Sequence, residues 1–199
     1  MKRYLIATVG AAGLLGLAAC GDGANDTAVG QTEPVNAAQD ATSAVVGQTS
    51  AATLGANTLE GYVDNAAIGD MYEIEAGRMA QERGVSAETK ALGEMLVSDH
   101  TAAAERMTGL ARAAGETIPT EMDERRQGLI DNLRAAQGAE FDRVFAEQQV
   151  AAHQEALTLH EGFADNADHP ELAAFAGEMV PKLRTHLERA RALEAATDQ

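Results

Sequence analysis

The chain has 199 residues and a formal net charge of -16, with 15 Lys and Arg against 31 Asp and Glu. Such an acidic surface repels phosphate backbones and argues against a nucleic-acid binder. Aromatic residues are only 4%, with no Trp, and alanine is abundant, which favours close-packed helices over an all-β fold.

Lys2 and Arg3 form a short basic start, and the apolar stretch from Tyr4 to Leu17 is too short to span a bilayer comfortably. It runs into Leu17-Ala18-Ala19-Cys20-Gly21, which contains the chain's single Cys. This resembles a bacterial lipoprotein signal peptide. The resemblance implies removal of residues 1–19, lipidation of Cys20 and attachment to a membrane of the cell envelope. The folded part would then stand in the periplasm. No later window carries 18 consecutive apolar residues.

From Cys20 to about Ala56 the chain is rich in Gly, Ala, Thr, Ser, Gln, Asn and Asp, with no sustained hydrophobic period. That composition predicts a flexible, disordered tether. The folded domain is expected over 57–197. Asn57 with Glu60 reads as a capping box for a helix to about Arg83, stopped by Gly84. Ser86 caps a second helix to about Ala114, ended by Gly115. A shorter helix is expected from about Glu121 to Ala136, and a long one from about Ala139 to Ala164. Asp168 and Glu171 start the last helix, which runs to about Ala196, with a kink predicted at Pro181.

The apolar stripes of three of these helices each carry one histidine. Leu92, Leu96, His100, Ala103 and Met107 share a face, as do Phe141, Phe145, Val150, His153 and Leu157. The third set is Phe175, Met179, Leu183, His186 and Ala190. The first helix offers Glu73 or Glu75 at a comparable place. In an up-down bundle the Gly84 and Asp168 connections share one end. A rise of about 1.5 Å per residue then puts Glu73, His100, His153 and His186 in one layer. Three imidazoles and a carboxylate suit a transition metal such as zinc, copper or iron. Glu75 and Asp99 are alternative ligands or partners that orient a histidine. The competing reading is three buried histidines satisfied by carboxylates or carbonyls. His160 and His169 are expected nearer the edge and the surface. Met71, Met79, Met95, Met107 and Met179 read as core filling before they read as thioether ligands.

The runs Glu73-Ile74-Glu75-Ala76-Gly77-Arg78, Val97-Ser98-Asp99-His100, Gln149-Val150-Ala151-Ala152-His153 and Thr185-His186-Leu187 resemble the bacterial domain of unknown function 4142 family. The resemblance covers about residues 58–195. It implies an all-α, ferritin-like up-down four-helix bundle with an extra short helix between the second and third long helices. It also implies an exported or lipid-anchored protein with Glu73, His100, His153 and His186 as its signature polar positions. It implies no reaction. Two-metal ferritin-like enzymes use Glu-x-x-His motifs, and Val97, Val150 and Leu183 stand where those glutamates would be. The expectation is a non-enzymatic envelope protein that binds a transition metal or small ligand in its core. The alternative is a structural or stress-related envelope protein without a cofactor.

Overall fold

The computed structural model describes residues 33–55 and 58–197, and every regular element among them is helical. Helix α1 is Glu33–Ser50, continued by a π-helical turn at Ala51–Gly55. The others are α2 (Leu59–Arg83), α3 (Ala87–Ala114), α4 (Glu124–Ala135), α5 (Ala139–Phe163) and α6 (Pro170–Thr197). The expected signal peptide, Cys20 and Asn57 lie outside the described residues.

The helix boundaries follow local chemistry. Thr58, one residue past the expected cap, accepts from the Gly61 N–H to start α2. Ser86 accepts from Thr89 N–H to start α3, and Asp123 accepts from Arg126 N–H to start α4. Gly115 closes α3 at φ 85°, a left-handed conformation that costs other residues more. Asn166 Oδ1 accepts from the Asp168 and His169 N–H groups ahead of α6, which runs on through Pro181.

The four long helices form an all-α bundle. Helix α2 packs along α3 and α5 along α6, while α2–α5 and α3–α6 contacts close the ring. Small residues set the tightest crossing. A Cβ on Gly77 would lie 2.8 Å from the Gly93 carbonyl oxygen, and one on Gly93 would lie 2.6 Å from that of Gly77.

The chain direction departs from the up-down expectation in one respect. Asp142, in the first turn of α5, accepts from Val85 and Ser86 N–H at 2.9 and 2.8 Å. Helix α5 therefore begins at the Gly84 end. The start of α6, Asp168 to Leu172, lies beside Leu110 and Ala114 at the opposite end. The expectation that the Gly84 and Asp168 connections share an end is thus corrected. The segment 115–138, with α4 inside it, carries the chain back along the bundle. The histidines still share a layer because each lies near the middle of its helix.

The core divides into two apolar clusters. One, at the Gly84 end, contains Tyr72, Leu96, Ile130, Leu133, Phe141 and Phe145. The other contains Tyr62, Met107, Leu159, Phe163, Phe175 and Leu183. Between them, in each long helix, falls a polar residue: Asp70 and Glu73 in α2, His100 in α3, His153 in α5 and His186 in α6. Met79, Met107 and Met179 fill core positions, consistent with the packing role expected of them.

Residues 33–55 are helical where a disordered tether was expected. The reason is that α1 docks through small and polar groups, which leave no large-apolar period. Asp40 accepts from Asn132 Nδ2 and Gln148 Nε2, each at 2.6 Å. Thr158 Oγ1 donates to Gln48 Oε1 at 2.9 Å, and Ala51 is fully buried. Gly47 passes so close to α5 that a Cβ there would lie 1.9 Å from Glu155 Oε2. Alanine supplies the helix propensity and the close approach together.

Candidate metal centre

Four helices deliver the site. Helix α3 presents Asp99 and His100, α5 presents Gln149 and His153, α6 presents His186, and α2 presents Asp70 and Glu73. His100, His153 and His186 are each 3% exposed or less. One nitrogen from each ring lies within 4.8 Å of one from each of the others. This is the convergence expected from the apolar stripes.

The hydrogen bonds on the far side of each ring fix which nitrogens face inward. His153 Nδ1 stands 2.9 Å from the Gln149 carbonyl oxygen, which can only accept, so Nδ1 carries the proton. His186 Nε2 donates to Asp99 Oδ2 at 2.9 Å. His100 Nδ1 donates to Asp70 Oδ1 at 2.8 Å. In neutral rings the remaining nitrogens, His100 Nε2, His153 Nε2 and His186 Nδ1, then carry lone pairs. His153 Nε2 and His186 Nδ1 face each other at 3.2 Å, and His100 Nε2 has no partner.

The electrostatics keep two of the rings neutral. Burial, then the charges on His100 and His186, holds His153 well below the usual imidazole range. Burial, then His100, lowers His186 to about 4. Burial also pulls His100 down, but the Asp70 hydrogen bond and charge outweigh it and leave His100 raised. Burial pushes the Asp99 carboxyl up, while the His186 bond and the Lys182 charge more than offset this and lower it. Glu73 is raised to about 7 by burial, against the opposing pull of His100 and Arg126.

Glu73 is buried in the same layer, but its Oε1 lies 3.9 Å from His153 Nδ1, the outward nitrogen, and it stands outside the triad of converging donors. Asp99 has the orienting role expected of it, on His186. Glu75 is not brought in: it is half-buried on the outer face of α2, in a groove with Met71, Arg78, Glu121 and Met122. His160 is buried, not at the edge, and its Nδ1 pairs with the Tyr62 hydroxyl at 3.1 Å. His169 is half-buried. Asp70 was missed, although it precedes Glu73 by three residues and so shares its face. That spacing was the available signal. Gln149, one turn before His153 and fully buried, carried the same kind of signal.

The donor set fits a metal ion. Two nitrogens on one tetrahedral ion at about 2.0–2.1 Å stand roughly 3.3 Å apart, close to the His153–His186 separation. The Asp70–His100 and Asp99–His186 pairs are the carboxylate–histidine arrangement that orients metal-binding imidazoles.

A solved structure with a similar fold is titled "CopM in the Cu(II)-bound form", with a TM-score of 0.56 and 19% sequence identity. The match covers 65% of this chain and 90% of that one, and at this identity it shows likeness of fold alone. No curated protein matches the sequence. The family described as domain of unknown function (DUF4142) matches residues 44–193, and the chain belongs to that family.

Proposed function

We propose that this protein binds one transition-metal ion between His100, His153 and His186, at the cell envelope, as a binding protein and not a catalyst of turnover. One observation carries the reading: three inward imidazole nitrogens, each with its ring's other nitrogen committed to an acceptor, converge on one point. A cation is what converging lone pairs need, and a proton is disfavoured on His153 and His186 because burial lowers both. Three imidazoles suit copper(II), zinc, iron or nickel, and copper(II) binds most tightly among divalent first-row ions. The Cu(II)-bound form of CopM, whose fold is similar, supports copper as the first choice. Attachment to the membrane would come from lipidated Cys20, on the strength of the preceding Leu17-Ala18-Ala19.

The test is equilibrium dialysis of the metal-free chain against copper(II) and zinc, beside a His100→Ala/His153→Ala variant. The expected result is one equivalent in the wild type and none in a variant that keeps its helical circular dichroism. Failure of the wild type to take up either metal sinks the reading and leaves a structural envelope protein.

A further inference from the structure

The three groups that orient the histidine rings differ in their access to solvent. Gln149, whose carbonyl holds His153, is fully buried. The Asp70 side chain, which holds His100, is 10% exposed. The Asp99 side chain is 31% exposed, although the His186 side chain that it holds is 1% exposed. The His186 ring therefore runs from a surface carboxylate to the interior. Its Nε2 donates to Asp99 Oδ2 at 2.9 Å, and its Nδ1 stands 3.2 Å from His153 Nε2.

The helix packing leaves this contact on the open side of the bundle. The α2–α5 seam is covered, because α4 packs on both helices and α1 packs on α4 and α5. Arg126 of α4 is buried there, with its guanidinium over the Tyr72 ring and its Nη2 on Glu155 Oε1 at 2.8 Å. Neither α1 nor α4 packs on α3 or α6, so no described helix covers the α3–α6 seam. An exposed cation closes the seam beside His186: Lys182 Nζ lies 3.4 Å from Asp99 Oδ1. Solvent-exposed ion pairs contribute little stability, so this one opens readily. A hydrated cation can then take the place of the ammonium on the carboxylate.

We propose that the α3–α6 seam at Asp99 and Lys182 is the port through which the metal ion reaches His100, His153 and His186. Asp99 is the surface carboxylate that captures the cation, and His186 is the first ring to receive it. This rests on the metal-binding reading above and deepens it. A carboxylate open to solvent raises the local concentration of cations, and imidazole nitrogen then replaces oxygen and water around the ion.

The experiment follows copper(II) uptake by the metal-free full chain, in stopped flow, through quenching of tyrosine fluorescence. Release is followed into excess chelator and extrapolated to zero chelator. Asp99→Asn keeps an oxygen for the His186 N–H but loses the charge, and its uptake should slow about tenfold. Lys182→Gln removes the competing ammonium, and its uptake and release should both quicken. Arg184→Gln makes an equal charge change on the same helix, where Arg184 pairs with Glu161, and should leave uptake unaltered. Uptake at the wild-type rate in Asp99→Asn, with release alone quickened, overturns the proposal and leaves Asp99 as an orienting residue of a standing metal site. Uptake in Lys182→Gln no faster than in Arg184→Gln overturns it too, because the position of the cation would then not matter. A wild type that takes up no copper overturns the metal site, and this proposal with it.

Discussion

His153 Nε2 stands 3.2 Å from His186 Nδ1, and the outer nitrogens of both rings are held by acceptors, Gln149 O and Asp99 Oδ2. Two lone pairs facing one another in a buried layer repel, and a shared cation would turn that repulsion into coordination. Metal binding should therefore stabilise the fold. At free metal about 100 times Kd the gain is about 2.7 kcal/mol. For a chain of this size that raises Tm by about 5–10 °C. Thermal denaturation with copper(II), then with excess chelator, checks this. His186→Leu should lose the metal-dependent increment. An equal increment in that variant would place the metal elsewhere.

Asp70 and Asp99 accept hydrogen bonds from His100 and His186 and so orient two of the three proposed ligands. Asp70→Ala leaves a buried His100 Nδ1 unpaired and frees the ring to turn. Each substitution should lower metal affinity by about 10–100-fold at unchanged stoichiometry. Asp70→Ala should show the larger loss, because the Asp99 side chain is 31% exposed and its place can be taken by water. Competition against a chromophoric chelator measures both. Affinities equal to wild type would mean that packing alone sets the rings.

His160 predicts how the metal-free fold responds to acid. Burial, then the charge on His100, lowers it from 6.5 to about 3. Between those values the unfolded chain binds a proton that the folded chain refuses, so stability falls as pH drops below 6.5. The slope from this one group is up to about 1.4 kcal/mol per pH unit. Urea midpoints of the metal-free His160→Gln variant should fall less steeply from pH 7 to 4 than those of the wild type, on a background to which Glu73, raised to about 7, contributes the opposite slope. His153 and His186, lowered for the same reason, keep part of the slope in that variant. Parallel curves for wild type and variant would contradict the assignment.

Gly47 is where α1 meets the bundle most closely. Glu155 cannot yield easily there, since Arg125 and Arg126 both grip its carboxylate. Gly47→Val should lift α1 from α5 and cost about 1–3 kcal/mol, the scale of overpacking. Hydrogen exchange should quicken across 40–51 and stay slow in α3 and α6. The hydrogen bonds of the triad run to Asp70, Gln149 and Asp99 and not to α1, so metal uptake should persist. Protected amides at 40–51 in the variant would show that α1 adapts.

The three histidines were legible because each interrupts an apolar stripe at helical spacing, a pattern that survives errors in helix boundaries. Their meeting survived even the corrected chain direction, since positions near mid-helix share a layer from either end. Asp99 was legible beside His100. Asp70 was not, because one acid among several on α2 looks solvated until a partner helix is placed over it. Glu75 failed for the converse reason: it lies two residues from Glu73, which rotates it off the buried face. Helix α1 was hidden because its docking uses Asp40, Gln48 and the missing side chain of Gly47, none of which leaves a hydrophobic period. The approach of the Gln149 amide to Glu73 is a property of packing, which one-dimensional spacing does not reveal.

The most direct measurement is X-ray absorption at the copper edge of the full chain loaded with one equivalent of copper(II), beside the His100→Ala/His153→Ala variant. Three imidazole nitrogens on the copper are expected in the wild type, with loss of that signature in the folded variant. One imidazole or none in the wild type, or the same spectrum in both proteins, would contradict it.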